Sequence, residues 1–285
     1  MVFEEKKLKI WNDQYWNLIK RNIGMISISE QNIIKEAKVT IFGVGGLGGP
    51  IVCQLVRCGC ERLTICDNDK FTESNLNRQL CTLDNIGEYK VDFFADYVKK
   101  INPEVLIKKF YEVNEQNLSS ILIESELAVL SLDDPLTSII ISRECLKRNI
   151  PLLESWGIPY LCAWYFTSKS LDYESCYGLE TKELSIDKIQ KSTDLQKKIK
   201  TKMLTKLTKF PGIRERFDRE PGALNGILSG RLPSVSFAPI VQLSASYLAF
   251  EAIFSGLLKI KPMILAPHII GYDYFEMKPL KFKIS

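Results

Sequence analysis

The sequence contains one histidine, His268, and none of its eight cysteines belongs to a C-x-x-C pair. A disulfide framework and a four-cysteine zinc site are therefore not expected. An excess of one charge is also lacking, since 38 lysine and arginine residues stand against 34 acidic residues, for a net charge of +4. So small an excess gives no argument for nucleic acid binding.

Long apolar runs are lacking as well. No stretch reaches the roughly 18 to 20 uninterrupted apolar residues of a membrane span, and the first residues lack the apolar segment of a signal peptide. We therefore expect a cytoplasmic protein with no membrane partner. The chain has 285 residues, 46% of them hydrophobic and 25% charged, which is enough to bury a large core without disulfides.

The sequence does contain a regular alternation of strand and helix patterns. Ser27 and Glu30 form a capping box that predicts a short helix ending near Ala37. Strands are then predicted at 38–42, 62–67, 105–110, 127–132 and 150–154. Helices are predicted between them, at 47–58, 91–101, 114–125 and 136–148. This alternation predicts an α/β fold, Rossmann-like and doubly wound, with a mostly parallel sheet and helices on both faces.

The pattern changes after the predicted sheet. Residues 168–232 are rich in lysine and threonine and are predicted to form a partly helical crossover loop or insertion. Residues 234–258 are predicted to form a long apolar helix whose small residues permit close packing against another helix or a second subunit, and antiparallel strands follow at 268–274 and 280–284. We divide the chain into an N-terminal helical arm (1–36), a nucleotide-binding α/β core (37–167), the insertion (168–232) and a C-terminal helix and strands completing the same domain (233–285).

The segment Gly43-Val-Gly45-Gly46-Leu-Gly48 fits the pattern G-x-G-x-x-G. It follows a predicted strand and begins a predicted helix, which distinguishes it from a chance match. The glycines let the backbone approach a phosphate, whose charge the helix N-terminus stabilises. Asp67 ends the next strand, where an acid commonly accepts hydrogen bonds from ribose. These residues alone allow an NAD, an ATP or a methyl-donor enzyme.

A polar cluster separates these possibilities. Residues 67–79 run Asp-Asn-Asp-Lys-Phe-Thr-Glu-Ser-Asn-Leu-Asn-Arg-Gln, and Lys90 and Asp133 follow near other strand or helix ends. Doubly wound folds bind ligands at the carboxyl edge of the sheet. A hydride-transfer site does not need an arginine, a lysine and an extra carboxylate beside the phosphates, whereas cleavage of a triphosphate does. The sequence therefore favours an ATP enzyme.

These segments resemble the ThiF, MoeB and HesA family, which includes the adenylation domains of ubiquitin-activating enzymes. The resemblance rests on the glycine loop, the DND…ESNLNRQ block, Gly87 with Lys90, Ile101-Asn-Pro, Asp133-Asp and Pro233-Ser. Residues 171–179 resemble a stand-alone prokaryotic subgroup of this family. The resemblance implies a homodimer that adenylates a carboxylate with ATP and releases pyrophosphate. The implied partner is a ubiquitin-like or sulfur-carrier protein that ends in Gly-Gly.

The resemblance also implies a role for each matching residue. Asp67 would hold the ribose and Asp133 a Mg²⁺ ion, while Arg21 would reach the ATP of a neighbouring subunit. Asp69 is open between a second acid at the ribose or metal and a loop cap. The nucleotide would be lined by the backbone of Gly43, Gly45, Gly46 and Gly48. Phosphate contacts are implied for Asn75, Arg78, Gln79 and Lys90.

Elementary chemistry agrees with these roles. A carboxylate with a pKa of about 3.5 is ionised at neutral pH and attacks without a general base. The difficulty is to bring one anion onto another and to release pyrophosphate. Arg78, Lys90 and Mg²⁺ would neutralise that charge.

The cysteines depart from the family pattern. Cys176 is the one cysteine at the position of the usual zinc pairs, and the tail after Met277 has none, so no structural zinc is expected. Residues 177–285 also lack the cysteine with which relatives form a thioester or persulfide. We therefore predict that the reaction stops at the acyl-adenylate, with Cys176 as the nearest candidate for any covalent step.

Three alternatives stay open. The carboxylate could be small or attached to tRNA, as in tRNA threonylcarbamoyladenosine dehydratases, and the lysine-rich residues 188–219 would suit RNA. The chain could be an inactive partner subunit of an activating enzyme, although it retains Arg78, Lys90 and Asp133. A nicotinamide-dependent oxidoreductase rests on the glycine loop alone.

Overall fold

Within residues 11–285, which the computed structural model describes, the strands form two sheets. The strands are β1 (Lys38–Phe42), β2 (Arg62–Cys66), β3 (Leu106–Phe110), β4 (Leu127–Leu130), β5 (Leu152–Glu154), β6 (Leu161–Cys162), β7 (Trp164–Phe166), β8 (His268–Asp273) and β9 (Lys278–Lys283). The larger sheet has the order β3-β2-β1-β4-β5-β7, and the smaller has the order β6-β8-β9. Strands β1 to β5 pair in parallel, whereas β7 is antiparallel to β5.

This strand order confirms the predicted fold class. The chain builds outwards from β1 through β2 to β3 and then returns to the other side of β1 with β4 and β5. The order therefore reverses between β1 and β4, and doubly wound sheets bind ligands at such a point. Strand β4 is buried along its whole length and β1 along all but its first residue, because both faces of the sheet are covered.

The helices alternate with the strands in the first half of the chain and dominate the second half. They are α1 (Asp13–Ile19), α2 (Ile28–Glu36), α3 (Gly48–Arg57), α4 (Lys90–Lys99), α5 (Leu118–Ile121), α6 (Pro135–Lys147), α7 (Tyr173–Tyr177), α8 (Ile186–Lys191), α9 (Thr193–Thr205), α10 (Ile213–Phe217), α11 (Ala223–Leu228) and α12 (Ala238–Glu251). A π-helical segment, Ala252–Leu257, continues α12. Short 3-10 turns lie at Glu73–Asn75, Leu83–Asn85 and Lys206–Lys209.

The helix predicted at 114–125 is much shorter than expected, because asparagine side chains take the place of helical hydrogen bonds. The Asn114 backbone N–H donates to Asn117 Oδ1 at 2.9 Å, and the Asn117 N–H donates to Asn114 Oδ1 at 3.0 Å. Asparagine favours such local turns over helix interiors. Only Leu118–Ile121 is α-helical in this stretch.

The lysine-rich insertion at 168–232 forms helices α7 to α11. Its apolar side chains join the core that covers one face of the sheet, among them Ile189, Ile199 and Phe210. Arg216 fastens the insertion to the C-terminal hairpin. Its guanidinium lies between the rings of Tyr160 and Phe275, at 4.9 and 5.0 Å from their centroids, and donates to the buried Asp273 carboxylate at 2.8 Å. The insertion is thus a packed layer of the domain.

Helix α12 packs its small residues against the same chain. Ser244, Ala245 and Ala249 are buried, and Gln54 of α3 donates to Ser246 of α12 at 3.2 Å. Helix α12 and its π-helical extension have the length and composition of a membrane span, but 61% of the most apolar window is buried inside the protein. The window also contains the fully buried Glu251, which pairs with Lys261 at 2.7 Å. A helix buried on most sides in a protein core has the same composition.

The capping box of α2 is confirmed and gives a first testable prediction. Ser27 Oγ accepts from the Glu30 N–H at 3.2 Å, while Glu30 Oε2 accepts from the Ser27 N–H at 2.7 Å. Ser27→Ala should lower the free energy of unfolding by about 1 kcal/mol, because a helical N–H loses its partner. Chemical denaturation measures this. Ile33→Ala, at an exposed position in the middle of the same helix, is the control, and an equal loss in both variants would contradict the assignment.

Candidate active site

A cavity of about 770 Å³ lies at the carboxyl edge of the larger sheet. Residues that directly follow β1, β2 and β4 line it, and so does the last residue of β5. The cavity therefore opens at the point where the strand order reverses. Its volume is within the range of small-molecule sites in proteins.

The glycine loop forms one wall. Gly43, Gly45 and Gly46 line the cavity. Gly43 has a φ of +86°, and a Cβ there would lie 2.6 Å from the carbonyl oxygen of Ser131. Ser131 follows β4, and its hydroxyl donates to the carbonyls of Phe42 and Gly43 at 2.9 and 2.7 Å. This hydroxyl fastens the loop to the neighbouring strand, which sequence reasoning missed because only the sheet order brings Ser131 there.

Asp67 lies at the end of β2, where the sequence predicts it. Its Oδ2 accepts from the Val44 N–H and its Oδ1 from the Asp69 N–H, both at 2.8 Å. Burial raises the pKa of Asp67, while the charge of Lys90 and the two backbone hydrogen bonds act to lower it. Each oxygen can accept a further hydrogen bond. The carboxylate thus holds the glycine loop and still offers acceptors to the cavity.

Lys90 and Asp69 form an ion pair in the cavity wall. Lys90 Nζ lies 2.7 Å from Asp69 Oδ2, with the lysine side chain 6% exposed and the aspartate side chain 63% exposed. The Lys90 backbone N–H also donates to the Asp69 carbonyl, at 3.0 Å. Asp69 therefore orients a buried ammonium group, which was neither of the roles left open for it.

Asn75, Arg78 and Gln79 complete the polar wall, and each of them lines the cavity. The Gln242 side chain of α12 donates to the Arg78 carbonyl at 3.0 Å and holds this turn in place. Gln79 Oε1 is buried without a hydrogen-bond partner, and the side chain lies 3.5 Å from where a Cβ on Gly45 would be. A buried acceptor without a donor costs free energy, so this one is suited to a ligand that brings a donor.

Two adjacent aspartates at the start of α6 have different roles. Asp134 caps the helix, because its Oδ2 accepts from the Thr137 N–H at 2.8 Å and from the Thr137 hydroxyl at 2.5 Å. Asp133 lines the same cavity and is exposed, and no hydrogen bond or ion pair engages its carboxylate among the described residues. Asp133 is thus a carboxylate available to a cation.

Residues 11–285 contain no cluster of three or more histidine, cysteine or acidic side chains placed to hold a metal ion. The predicted magnesium role of Asp133 does not depend on such a cluster. Mg²⁺ is usually bound by one or two carboxylates together with substrate phosphates, and needs no cage built by the protein alone.

The opposite half of the cavity is apolar, and sequence reasoning missed it. Trp156 and Ile158 follow β5, and helices α9 to α11 provide the facing wall. We call this half the apolar chamber; it is lined by Trp156, Ile158, Met203, Leu204, Leu207, Phe217 and Ile227. Glu154, the last residue of β5, also lines the cavity. The sequence contained one signal for this residue: an acidic side chain comes directly after two apolar strand residues, Leu152 and Leu153.

Two residues predicted for the site do not line the cavity. Gly48 begins α3, and a Cβ there would lie 1.8 Å from the carbonyl oxygen of Gly43, so this glycine serves packing of the loop. Arg21 is exposed and lies outside the cavity. A contact between Arg21 and this kind of site would need a second copy of the chain.

Cys176 is fully buried on α7. Burial, and then the charge of Glu154, raises the pKa of this thiol to about 12. The reactive form of cysteine is the thiolate. At neutral pH Cys176 is therefore neutral and enclosed, which disfavours it as a nucleophile.

Residues 19–285 match the ThiF family. A tRNA threonylcarbamoyladenosine dehydratase of Bacillus subtilis (strain 168) is 35% identical over 130 residues, which cover 44% of this chain and 50% of that protein. A probable molybdopterin-synthase adenylyltransferase of Gracilaria tenuistipitata var. liui is 33% identical over 135 residues, 47% of this chain and 37% of that protein. The chain thus spans half or less of the length of these relatives.

Solved structures agree with the fold. PaaA superposes with a TM-score of 0.67 at 18% sequence identity, covering 97% of this chain and 75% of that one. Escherichia coli MccB, solved with ATP, superposes with a TM-score of 0.63 at 20% identity, covering 90% of this chain and 66% of that one. At this level of identity the likeness concerns the fold.

Proposed function

Because this chain belongs to the ThiF family, we propose that it uses ATP to adenylate a carboxylate and releases pyrophosphate. The observation that carries the proposal is the joint placement of the glycine loop, the buried Lys90 and the free Asp133 carboxylate around one cavity. A nicotinamide-dependent oxidoreductase does not need Lys90 or the Asp133 carboxylate in this position. Lys90 and Asp133 also argue against an inactive partner subunit, because such a subunit could lose both residues without any loss of function.

The cavity residues divide the work. The glycine loop and Asp67 bind the nucleotide, the loop through backbone N–H groups and Asp67 through its free lone pairs. Lys90 and Arg78 supply positive charge beside the phosphates, and Gln79 Oε1 offers an acceptor. Asp133 would hold Mg²⁺, which when bound neutralises phosphate charge and polarises the phosphoryl oxygens.

Adenylation of an ionised carboxylate needs no proton transfer. The carboxylate oxygen attacks the α-phosphorus of ATP, a new P–O bond forms, and the bond to the β-phosphate oxygen breaks as pyrophosphate leaves with the electron pair. The barrier comes from anionic repulsion and from the charge that develops on the leaving group. Cations held in place beside the phosphates stabilise that charge without having to reorganise.

For the acceptor, we propose the carboxyl terminus of a protein or peptide. The carrier proteins ending in Gly-Gly, expected from the family resemblance, are the first candidates. Relatives named as adenylyltransferases support this class, among them the Gracilaria enzyme. A carboxylate attached to tRNA is the second candidate, favoured by the Bacillus relative and by Lys200, which lines the cavity from α9. A homodimer would be required for the predicted role of Arg21.

The test is exchange of radiolabelled pyrophosphate into ATP, measured with carriers ending in Gly-Gly, with short peptides and with tRNA. Exchange with a protein or peptide is expected. Exchange with tRNA alone would identify the second candidate, a carboxylate attached to tRNA, as the acceptor. A nicotinamide dinucleotide that displaces ATP from the cavity, with no exchange for any acceptor, would contradict the function.

Asp133→Ala should raise the Mg²⁺ concentration needed for half-maximal exchange by about tenfold, which corresponds to about 1.4 kcal/mol. The reason is the loss of the free carboxylate that would hold the ion. Magnesium titrations of the exchange rate measure the shift. Asp134→Ala is a matched control, since it removes a neighbouring carboxylate that lines the same cavity but is already engaged by Thr137 in capping α6. Equal shifts in both variants would contradict the magnesium role.

Cys176→Ala should keep the exchange activity of the unmodified protein, because the thiol is buried and neutral. Incubation with ATP and an active acceptor, followed by electrophoresis without reductant, checks the same point directly. No adduct between enzyme and acceptor is expected. A reducible adduct that disappears in the Cys176→Ala protein would show a covalent step.

A further inference from the structure

The apolar chamber offers side-chain surface that a terminal glycine could not cover. A chain ending in Gly-Gly has no side chain to place against Trp156, Met203 and Phe217, and it would leave their surfaces facing water or a void. Filling such a chamber with an apolar group stabilises the complex by about 25 cal/mol for each Å² removed from water. The chamber therefore favours an acceptor whose reacting residue has an apolar body.

Glu154 provides the polar feature of this half of the cavity. It is 4% exposed and is held by three neighbours. The indole N–H of Trp164 donates to Glu154 Oε2 at 3.1 Å, and the Tyr177 hydroxyl donates to the same oxygen. Trp164 and Tyr177 fill both lone-pair positions of Oε2, so even with a hydrogen bond from Trp156 one lone-pair position of Oε1 is left for a ligand. Trp156 stacks on Tyr177 with centroids 5.9 Å apart and an interplanar angle of 17°.

Burial of the Glu154 carboxyl group lowers the stability of the protein, so we expect the group to have a function. A carboxyl group buried among aromatic rings loses hydration, and an apolar residue of similar size would avoid that loss. Glu154 is fixed at the end of a central strand by two donors, so its position is set before any ligand binds. A group placed in this way can select a partner through one short, directed hydrogen bond.

We propose that Glu154 determines acceptor specificity by accepting a hydrogen bond, through Oε1, from a donor at the tip of the acceptor's terminal side chain. The acceptor is then a peptide or protein whose last residue combines an apolar body with a terminal donor, as tyrosine and tryptophan do. This inference rests on the proposed adenylation and replaces glycine as the expected last residue.

The ionisation of Glu154 adds a pH signature. Burial raises its pKa to about 7, although hydrogen bonds from Tyr177, Trp164 and Trp156 favour the carboxylate. The other titratable groups that face it are Tyr173, Cys176 and Tyr177 of α7, whose pKa values are all raised, so they stay neutral through this range. Above pH 7 Glu154 can only accept, and the preference for a donor should therefore increase as the pH rises from 6 to 8.

The test uses peptides that are identical except for a last residue of Gly, Leu, Phe, Tyr or Trp. Pyrophosphate exchange should favour Tyr over Phe by about tenfold, in line with the cost of an unpaired group in a buried site, and Gly should be the poorest. The Tyr to Phe ratio should increase with pH. In Glu154→Gln the amide oxygen can still accept from Trp164 and Tyr177, so the fold is retained, while the amide NH₂ faces the cavity. The ratio should fall severalfold, because a neutral hydrogen bond from the amide NH₂ to the tyrosine hydroxyl replaces the stronger bond to a carboxylate, and it should lose its pH dependence.

A second arm does not require catalysis. Soaking crystals with 4-methylphenol or toluene probes the chamber directly, and calorimetry compares their affinities. We expect 4-methylphenol to bind with its hydroxyl at Glu154 Oε1 in the unmodified protein and more weakly in Glu154→Gln, whereas toluene should bind both equally. Glycine-ended peptides that are exchanged as well as tyrosine-ended ones, or equal binding of 4-methylphenol to both proteins, would overturn the inference and leave the adenylation standing. No exchange with any acceptor, together with selective 4-methylphenol binding, would instead contradict the proposed function.

Discussion

Lys90→Met should reduce the rate of ATP–pyrophosphate exchange by about 10² to 10³-fold, the usual cost of removing one preorganised charge contact at a reacting centre. Lys90 Nζ is buried in the cavity wall and oriented by Asp69 at 2.7 Å. Methionine keeps the length and most of the packing of lysine but carries no charge. Asp69 is mostly exposed and loses little, whereas the buried Asp67 loses the nearby charge that acts to lower its pKa. Chemical denaturation of the variant therefore accompanies the rate measurement.

The control for this prediction is Lys70→Met. Lys70 belongs to the same loop and is exposed, with its Nζ 4.5 Å from the centroid of the Tyr89 ring. It does not line the cavity, so its exchange rate should stay within about a factor of two, as for most surface changes. Comparable losses in both variants would mean that the effect of Lys90 is structural or electrostatic at long range. Equilibrium ATP binding then separates the two steps: a loss of rate with intact binding identifies a contact made to the developing charge.

Gly48→Ala should destabilise the protein by at least about 3 kcal/mol, at or above the upper end of ordinary overpacking. The added Cβ would lie 1.8 Å from the Gly43 carbonyl oxygen and 2.6 Å from Ser131 Oγ. The first of these is backbone and cannot rotate away. Relief would require the glycine loop to separate from α3 and the Ser131 hydrogen bonds to break. Chemical denaturation, with the midpoint and slope both recorded, measures the loss.

Gly45→Ala is the matched comparison within the same loop. A Cβ on Gly45 would have Gln79 Nε2 as its nearest neighbour, at 3.5 Å, which is an ordinary contact. Stability should therefore change by less than about 1 kcal/mol. ATP affinity should nevertheless fall, because the methyl group would occupy the wall against which a phosphate lies. If Gly45→Ala proved as unstable as Gly48→Ala, the separation between a packing glycine and a binding glycine would be wrong.

The core of the fold was predictable because its signals are local. The strand at 38–42, the glycine loop and α3 follow one another within twenty residues, and the capping box before them is a four-residue pattern. The prediction of a helix over 114–125 was wrong in its length. The competing signal was also local, but it consists of side-chain hydrogen bonds, which hydrophobic periodicity does not detect. The mutual hydrogen bonds of Asn114 and Asn117 shortened a helix whose apolar spacing looked sufficient.

The site was predictable only on its polar side. Asp67, Lys90 and Asp133 follow strands or begin helices, and their chemistry is distinctive enough to suggest phosphate binding. Ser131 follows a strand and Glu154 ends one, but their contacts depend on which strands become neighbours, and that is a tertiary property. The apolar chamber was invisible for a further reason, since its residues come from an insertion whose packing no short pattern describes. Gly48 stays a prediction for nucleotide binding, and the structure gives it a packing role in addition, because a Cβ there would clash with the Gly43 carbonyl oxygen.

The contacts of Arg216 affect how tightly an acceptor can bind. By joining the inserted helices to the C-terminal hairpin, it keeps the far wall of the cavity assembled before anything enters. The binding site for an acceptor is therefore preformed. Little of the binding free energy is lost in ordering the enzyme. Selectivity under these conditions depends on how well the incoming group fits, and discrimination between similar chain ends should appear mainly in how long each of them stays bound.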